Sequence, residues 1–151
     1  MARKSYTPEE QELYLHVQEA AYQEALMEPM EYFAHDVTAR NDVKLYRLTQ
    51  RLGREAKASY WDLVELLHST KGHVVGISEG YCWLAHELWM DERECEGFVH
   101  ALADLDLIES EPYSRGFVSM ARVWSNAEKY AKNKASMKAS AAVTNMRRNA
   151  S

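Results

Sequence analysis

The sequence predicts a mainly α fold with a small β-hairpin, arranged as a winged helix-turn-helix with extra helices at its N- and C-terminal ends. Three observations predict it. Apolar residues recur at helical spacing through most of the chain. Two short runs, His73–Ile77 and Phe117–Met120, are bounded by turn signals and carry β-branched or aromatic residues. The elements also come in the order helix, short strand, helix, helix, hairpin. A chain of 151 residues suits one compact domain with tails, divided as an amphipathic helix over 1–29, a winged-helix domain over 30–121, and a helix with a basic tail over 122–151.

The first helix announces itself at Thr7-Pro8-Glu9-Glu10: Thr7 caps, Pro8 suits the first helical position, and Glu10 closes a capping box. Leu13, Val17, Ala20 and Ala21 then recur on one face until Pro29 stops the element. Met30 to Ala34 reads as extended. A second helix starts at Asn41 or Asp42 as N-cap, places Leu45, Leu48 and Leu52 on one face, and stops at Gly53. The third, Glu55 to Ser69, carries Tyr60, Val64 and Leu67 on a wide apolar face and is the expected core helix. After a short strand at His73–Ile77, Ser78 is expected to cap a helix running to Met90 that buries Trp83, Leu84, Leu88 and Trp89, and Asp91 to cap another through Asp106. Leu107–Glu109 and Phe117–Met120 read as the two arms of a hairpin. The last helix starts near Ala121 and fades into an alanine, lysine and serine tail.

Composition excludes several classes. At 46% hydrophobic and 27% charged, with 9 Tyr and 4 Trp, the chain is not disordered throughout. Cys82 and Cys95 form no CxxC pair, so neither a disulfide framework nor a redox site is indicated, and a reducing cytoplasm fits. No apolar run spans a bilayer, and the N-terminus turns acidic where a signal peptide would need its apolar segment. Cys82 and His86 share a helix face about 40° apart, but Cys95 and His100 diverge by about 140°, a poor ligand direction; packing accounts for them better than zinc. Nucleophile elbows, phosphate-cradling glycine loops and HExxH are all missing, so no enzyme, metal or cofactor is expected.

Charge is segregated. From Arg122 onward seven Lys/Arg face one acid, Glu128, a balance of +6; residues 1–121 carry 11 basic and 22 acidic groups, a balance of -11. A cationic end is an electrostatic footprint for nucleic acid, although a solvated tail has the same composition. Groove-reading helices lead with Arg, Lys, Asn or Gln, whereas the second helix of the helix-turn-helix leads with Asp91-Glu92-Arg93-Glu94. The expected DNA contacts are therefore Lys129, Lys132, Lys134, Lys138, Arg147 and Arg148 on the tail, with Arg115 at the wing tip. They would hold phosphates with little sequence selectivity. The aromatic series Tyr14, Tyr22, Tyr60, Trp61, Trp83, Trp89 and Trp124 exceeds what one small core needs, which points to homo-oligomerisation unless all of it is interior.

The run YFAHDVTARNDVKLYRL, a glycine-ended helix, SYWDLVELLHSTKGH, a helical pair closing on ALADLDLIES, a short hairpin and a Lys/Ala/Ser-rich tail together resemble the N-terminal winged-helix domain of phage and prophage replication-initiation proteins, the DnaD-like replisome organiser group. The resemblance covers roughly residues 30–137 and rests on Phe33, His35, Asp36, Arg40, Asp42, Leu45, Tyr60, Trp61, Leu66, Gly72 and Leu107. It implies a non-enzymatic role in assembling a replication complex, with itself or a replication protein, on DNA. A different class stays open: an acidic interaction module or DNA mimic that acts on a host complex without binding DNA. Within the matched run, EYFAHDVTARND reads as a tied corner, with Phe33 anchored in the core, Asp36 closing the turn, Asp42 or Asn41 capping the next helix, and Arg40 pairing with Asp36 or a neighbouring acid. His35 has no nucleophile or metal quartet beside it.

Overall fold

The computed structural model describes residues 5–150. Local signals place most elements where the sequence expects them: α1 Pro8–Leu26, α2 Val43–Leu52, α3 Glu55–Ser69, β1 Val75–Gly76, α4 Cys82–Glu87, α5 Glu92–Asp104, α6 Ser110–Ser114, β2 Phe117–Val118 and α7 Ala121–Ala150. The fold is mainly helical with a small two-stranded antiparallel sheet. Among the described residues no helix is long and apolar enough to cross a membrane.

The chain divides into two compact units. One is Pro29–Asn126; the other joins residues up to Glu28 with those from Ala127 onward. In the larger unit, α3 is the centre of the core because Tyr60, Leu63, Val64 and Leu67 repeat at i, i+3, i+4 and i+7, and all four are buried. Each such side chain contributes about 1.5–3 kcal/mol of burial. Helix α2 lays Leu45 and Leu48 on this core and packs against both α3 and α5, which adds Cys95, Phe98, Val99 and Leu102. Asp42 caps α2 by accepting from the backbone N–H groups of Lys44 (2.8 Å) and Leu45 (3.4 Å).

Three expectations are corrected here. The helix after Ser78 is shorter than expected: Gly80 takes φ +113° and Trp89 takes φ +59°, neither helical, so only Cys82–Glu87 closes its turns, and while Leu84 and Leu88 are buried, Trp83 and Trp89 face solvent. The antiparallel pair joins β1 to β2, with Val75 opposite Val118 and Gly76 opposite Phe117, rather than Leu107–Glu109 to Phe117–Met120. Ser110–Ser114 coils into α6 between those two arms, and they keep one backbone bond, Glu109 N–H to Ser119 O at 2.8 Å. Finally, the alanine, lysine and serine tail does not fade: α7 stays helical to Ala150.

The smaller unit explains that persistence. Ala127, Ala131, Ala135, Ala139 and Val143 form a buried stripe at four-residue spacing, and α1 contributes the buried Ala21 and Ala25. Arg147 pairs with Glu10, and Lys134 with Glu28 at 2.6 Å, so α1 and α7 run antiparallel. Thr7 and Glu10 complete the expected capping box.

Candidate functional site

The corner between Phe33 and Asp42 is built from short-range bonds. The Asp36 carboxylate accepts from the Thr38 backbone N–H at 2.9 Å and the Thr38 hydroxyl at 2.7 Å, which holds the Asp36 carboxyl below its ordinary range. Arg40 does not pair with Asp36; its Nη1 donates to the Val37 carbonyl at 2.9 Å. The cation for this region is Arg122, which lies 3.6 Å from the Asp42 carboxylate and 5.2 Å from the centre of the Trp61 ring. Phe33 stacks on His68 at 4.0 Å, and His35 lies over Trp61 at 4.2 Å. His68 is buried, donates from Nδ1 to the Val64 carbonyl at 2.7 Å and accepts at Nε2 from the Asn126 amide at 3.0 Å. Burial pushes its pKa down, so it serves the corner as a neutral ring. His73, also buried, donates from Nδ1 to the Leu67 carbonyl at 3.0 Å. The His73 Nε2, buried as well, has no hydrogen-bond partner among the described residues. Among the described residues, no three His, Cys, Asp or Glu side chains gather as a metal site.

The predicted DNA contacts fall into distinct settings. Lys134 and Arg147 are engaged with Glu28 and Glu10, and each partnership raises the basicity of its cation. Arg115, at the end of α6, pairs with Glu111 at 3.0 Å. Lys129, Lys132 and Lys138 are exposed along α7 and have no ionic partner among the described residues. Arg148 is exposed near the C-terminal end of the same helix.

Helix α5 presents the exposed Glu92, Glu94 and Glu96. Asp91 caps it by accepting from the Glu94 backbone N–H at 2.7 Å. This bond depresses the Asp91 carboxyl, and contact with Asp91 raises that of Glu94. Such a leading turn repels phosphate.

A second set of cations was missed by the sequence reading. On α2, Val43, Tyr46, Arg47 and Gln50 stand at i, i+3, i+4 and i+7, opposite the buried Leu45 and Leu48, and the exposed Arg54 follows in the turn before α3. Tyr46 is 64% exposed. Lys44 is drawn to the Asp106 carbonyl (3.1 Å) and Arg51 to Asp104 (2.9 Å), while Arg47 and Arg54 have no ionic partner among the described residues. The signal was present: between Arg40 and Lys57 there are six Lys/Arg and two acids. Dividing the charge at Arg122 averaged them into an acidic body.

The family model described as Lin1244/Lin1753-like, N-terminal, matches residues 32–121, more than half of the chain. The chain belongs to that family. The matched span lies within the Pro29–Asn126 unit and takes in the whole corner from Phe33 to Asp42, the α2 stripe and both strands. No curated protein and no solved structure matches the chain.

Proposed function

We propose that the chain is a non-enzymatic, phage-derived replication-associated protein that assembles with itself or with a replication partner and holds DNA by its phosphates. Its Pro29–Asn126 unit is a winged helix in which α3, β1, α4, α5 and β2 follow the order of that fold, α6 sits at the wing, and α5 faces protein rather than a groove. The observation that carries this reading is the separation of unpaired cations from the groove-reading position: α5 leads with acids, while Lys129, Lys132 and Lys138 on α7, Arg47 on α2 and Arg54 in the turn between α2 and α3 are free to meet phosphate. Contacts of this type give affinity without base selectivity.

The acidic α5 surface also supports a second reading, in which the chain is an acidic interaction module that mimics nucleic acid and binds a host protein. Fluorescence anisotropy with labelled duplex and single-stranded DNA of unrelated sequences separates the two. The first reading expects binding at low salt that is indifferent to sequence; no binding at low salt leaves the second.

A further inference from the structure

Trp89 stands in the turn between α4 and α5, and its setting is unusual on two counts. Helix α4 ends in a Schellman motif: the Trp89 N–H bonds to the His86 carbonyl (3.3 Å) and the Met90 N–H to the Ala85 carbonyl (3.0 Å). The residue after the cap must then be left-handed, a place where glycine is the default, yet Trp89 occupies it at φ +59°. Its side chain is 94% exposed, so the core gains almost nothing from it.

Trp89 forms one wall of an open cleft of about 610 Å³ within the Pro29–Asn126 unit. Tyr32, itself 84% exposed, lines the same cleft, and Phe33 and Leu66 contribute apolar lining. The polar lining is one-signed: Glu31, Asp62, Glu65 and Glu87 border it, and no Lys or Arg does. Glu31, Asp62 and Glu65 have no ionic partner among the described residues; Glu87 lies 3.8 Å from His86. Aromatic faces attract cations, and carboxylates take guanidinium in paired hydrogen bonds. Four carboxylates around exposed rings repel nucleic acid and acidic protein alike.

The geometry points to this cleft as the docking site for an arginine- and leucine-bearing segment of a partner protein, its cations set between the acidic rim and the Trp89 and Tyr32 rings. The inference deepens the protein-partner half of the proposed function by naming the partner's chemistry. The volume takes a few side chains rather than a whole helix, so a short linear segment is the fitting occupant.

The test follows the indole N–H resonances of the four tryptophans in the full chain while a short peptide repeating Arg-Leu-Ala is added, with Glu-Leu-Ala as control. The Trp89 resonance is expected to move saturably with the arginine peptide alone. In the wild-type chain the Trp61, Trp83 and Trp124 resonances do not respond to the peptide, and anisotropy of the labelled arginine peptide shows Trp89→Gly and the double reversal Asp62→Lys with Glu65→Lys each weakening binding by about tenfold or more. An unmoved Trp89 signal, equal response to both peptides, or binding that survives both variants overturns the inference. So does a Trp89 shift that depends on protein concentration without peptide, because that assigns the cleft to a second copy. DNA binding by Trp89→Gly, which changes no charge, stays at the wild-type level, so a failure here is distinct from a failure of the DNA reading.

Discussion

Replacing Trp89 by glycine is expected to stabilise the protein slightly, an unusual outcome for removing a tryptophan. At φ +59° an L-residue carries about 1–2 kcal/mol of left-handed strain, which glycine does not. Glycine returns about 0.5–1 kcal/mol of that through its freer unfolded chain. A side chain 94% exposed has little burial to lose, roughly 0.3 kcal/mol at 25 cal/mol per Å². The balance favours Trp89→Gly by about 0.5 kcal/mol, or a Tm about 1–2 °C higher for a chain of this length. Trp89→Ala keeps the strained backbone and should not gain. Differential scanning calorimetry at neutral pH reads both variants. A buried aromatic costs about 3–5 kcal/mol when truncated, so a fall of several degrees in Trp89→Gly would show that the indole is a core anchor and remove the case for its serving a partner.

Gly116 tests the small sheet. It holds φ +86°, its carbonyl accepts from the Ile77 N–H at 2.8 Å, and a Cβ built there would lie 2.1 Å from the Ser78 Oγ. Gly116→Ala should cost about 1–2 kcal/mol from strain alone, with part of any excess recovered by adding Ser78→Gly; a urea midpoint equal to wild type contradicts it. Acid should weaken the protein in two windows. His68 is neutral in the fold with its pKa depressed mainly by burial, so the unfolded chain takes up a proton first and stability falls as pH drops below 6.5. The Glu10 carboxyl is held down to about 2 by Arg147 and Thr7, so its contribution is whole above 4.5 and is lost as pH falls from there. Urea midpoints across pH should show Arg147→Gln removing the lower window and His68→Gln flattening the upper one; a midpoint that rises from pH 7 to pH 5 contradicts the assignment.

The helices were legible wherever the punctuation was local. Thr7-Pro8-Glu9-Glu10, Asp42, Gly53 and Asp91 are chemical signals within one turn of the ends they set, and those ends stand as read. What escaped depends on partners distant in sequence. Phe117–Met120 reads as the partner of Leu107–Glu109, eight residues before it, whereas Phe117–Val118 pairs with Val75–Gly76, about forty residues away, and α6 coils between the nearer arms. The tail read as solvated because alanine and lysine are weak evidence for burial, and only Glu10 and Glu28 on α1 reveal what Arg147 and Lys134 do. Among the expected site residues the corner was legible in its turn and cap chemistry, but Arg40, expected to pair with Asp36 or an acid of a neighbouring helix, bonds the Val37 carbonyl instead, and the ion pair of the corner joins Arg122 to Asp42. Trp89 reads as part of a buried helical face but is 94% exposed, and a left-handed φ at a tryptophan has no sequence signature.

The proposed function has phosphate met by the unpaired cations of α7, by Arg47 on α2 and by Arg54 just after it, and not by α5. The salt dependence of duplex binding, plotted as log affinity against log salt, tests it most directly. Each phosphate neutralised adds about 0.9 to the slope. Converting Lys129, Lys132 and Lys138 together to Gln should flatten the slope by about three, and converting Arg47 and Arg54 to Gln by about two. Arg93→Gln on α5 should leave it unchanged. A slope that stays at its wild-type value in both cation variants but drops with Arg93→Gln would place DNA on α5 and contradict the account.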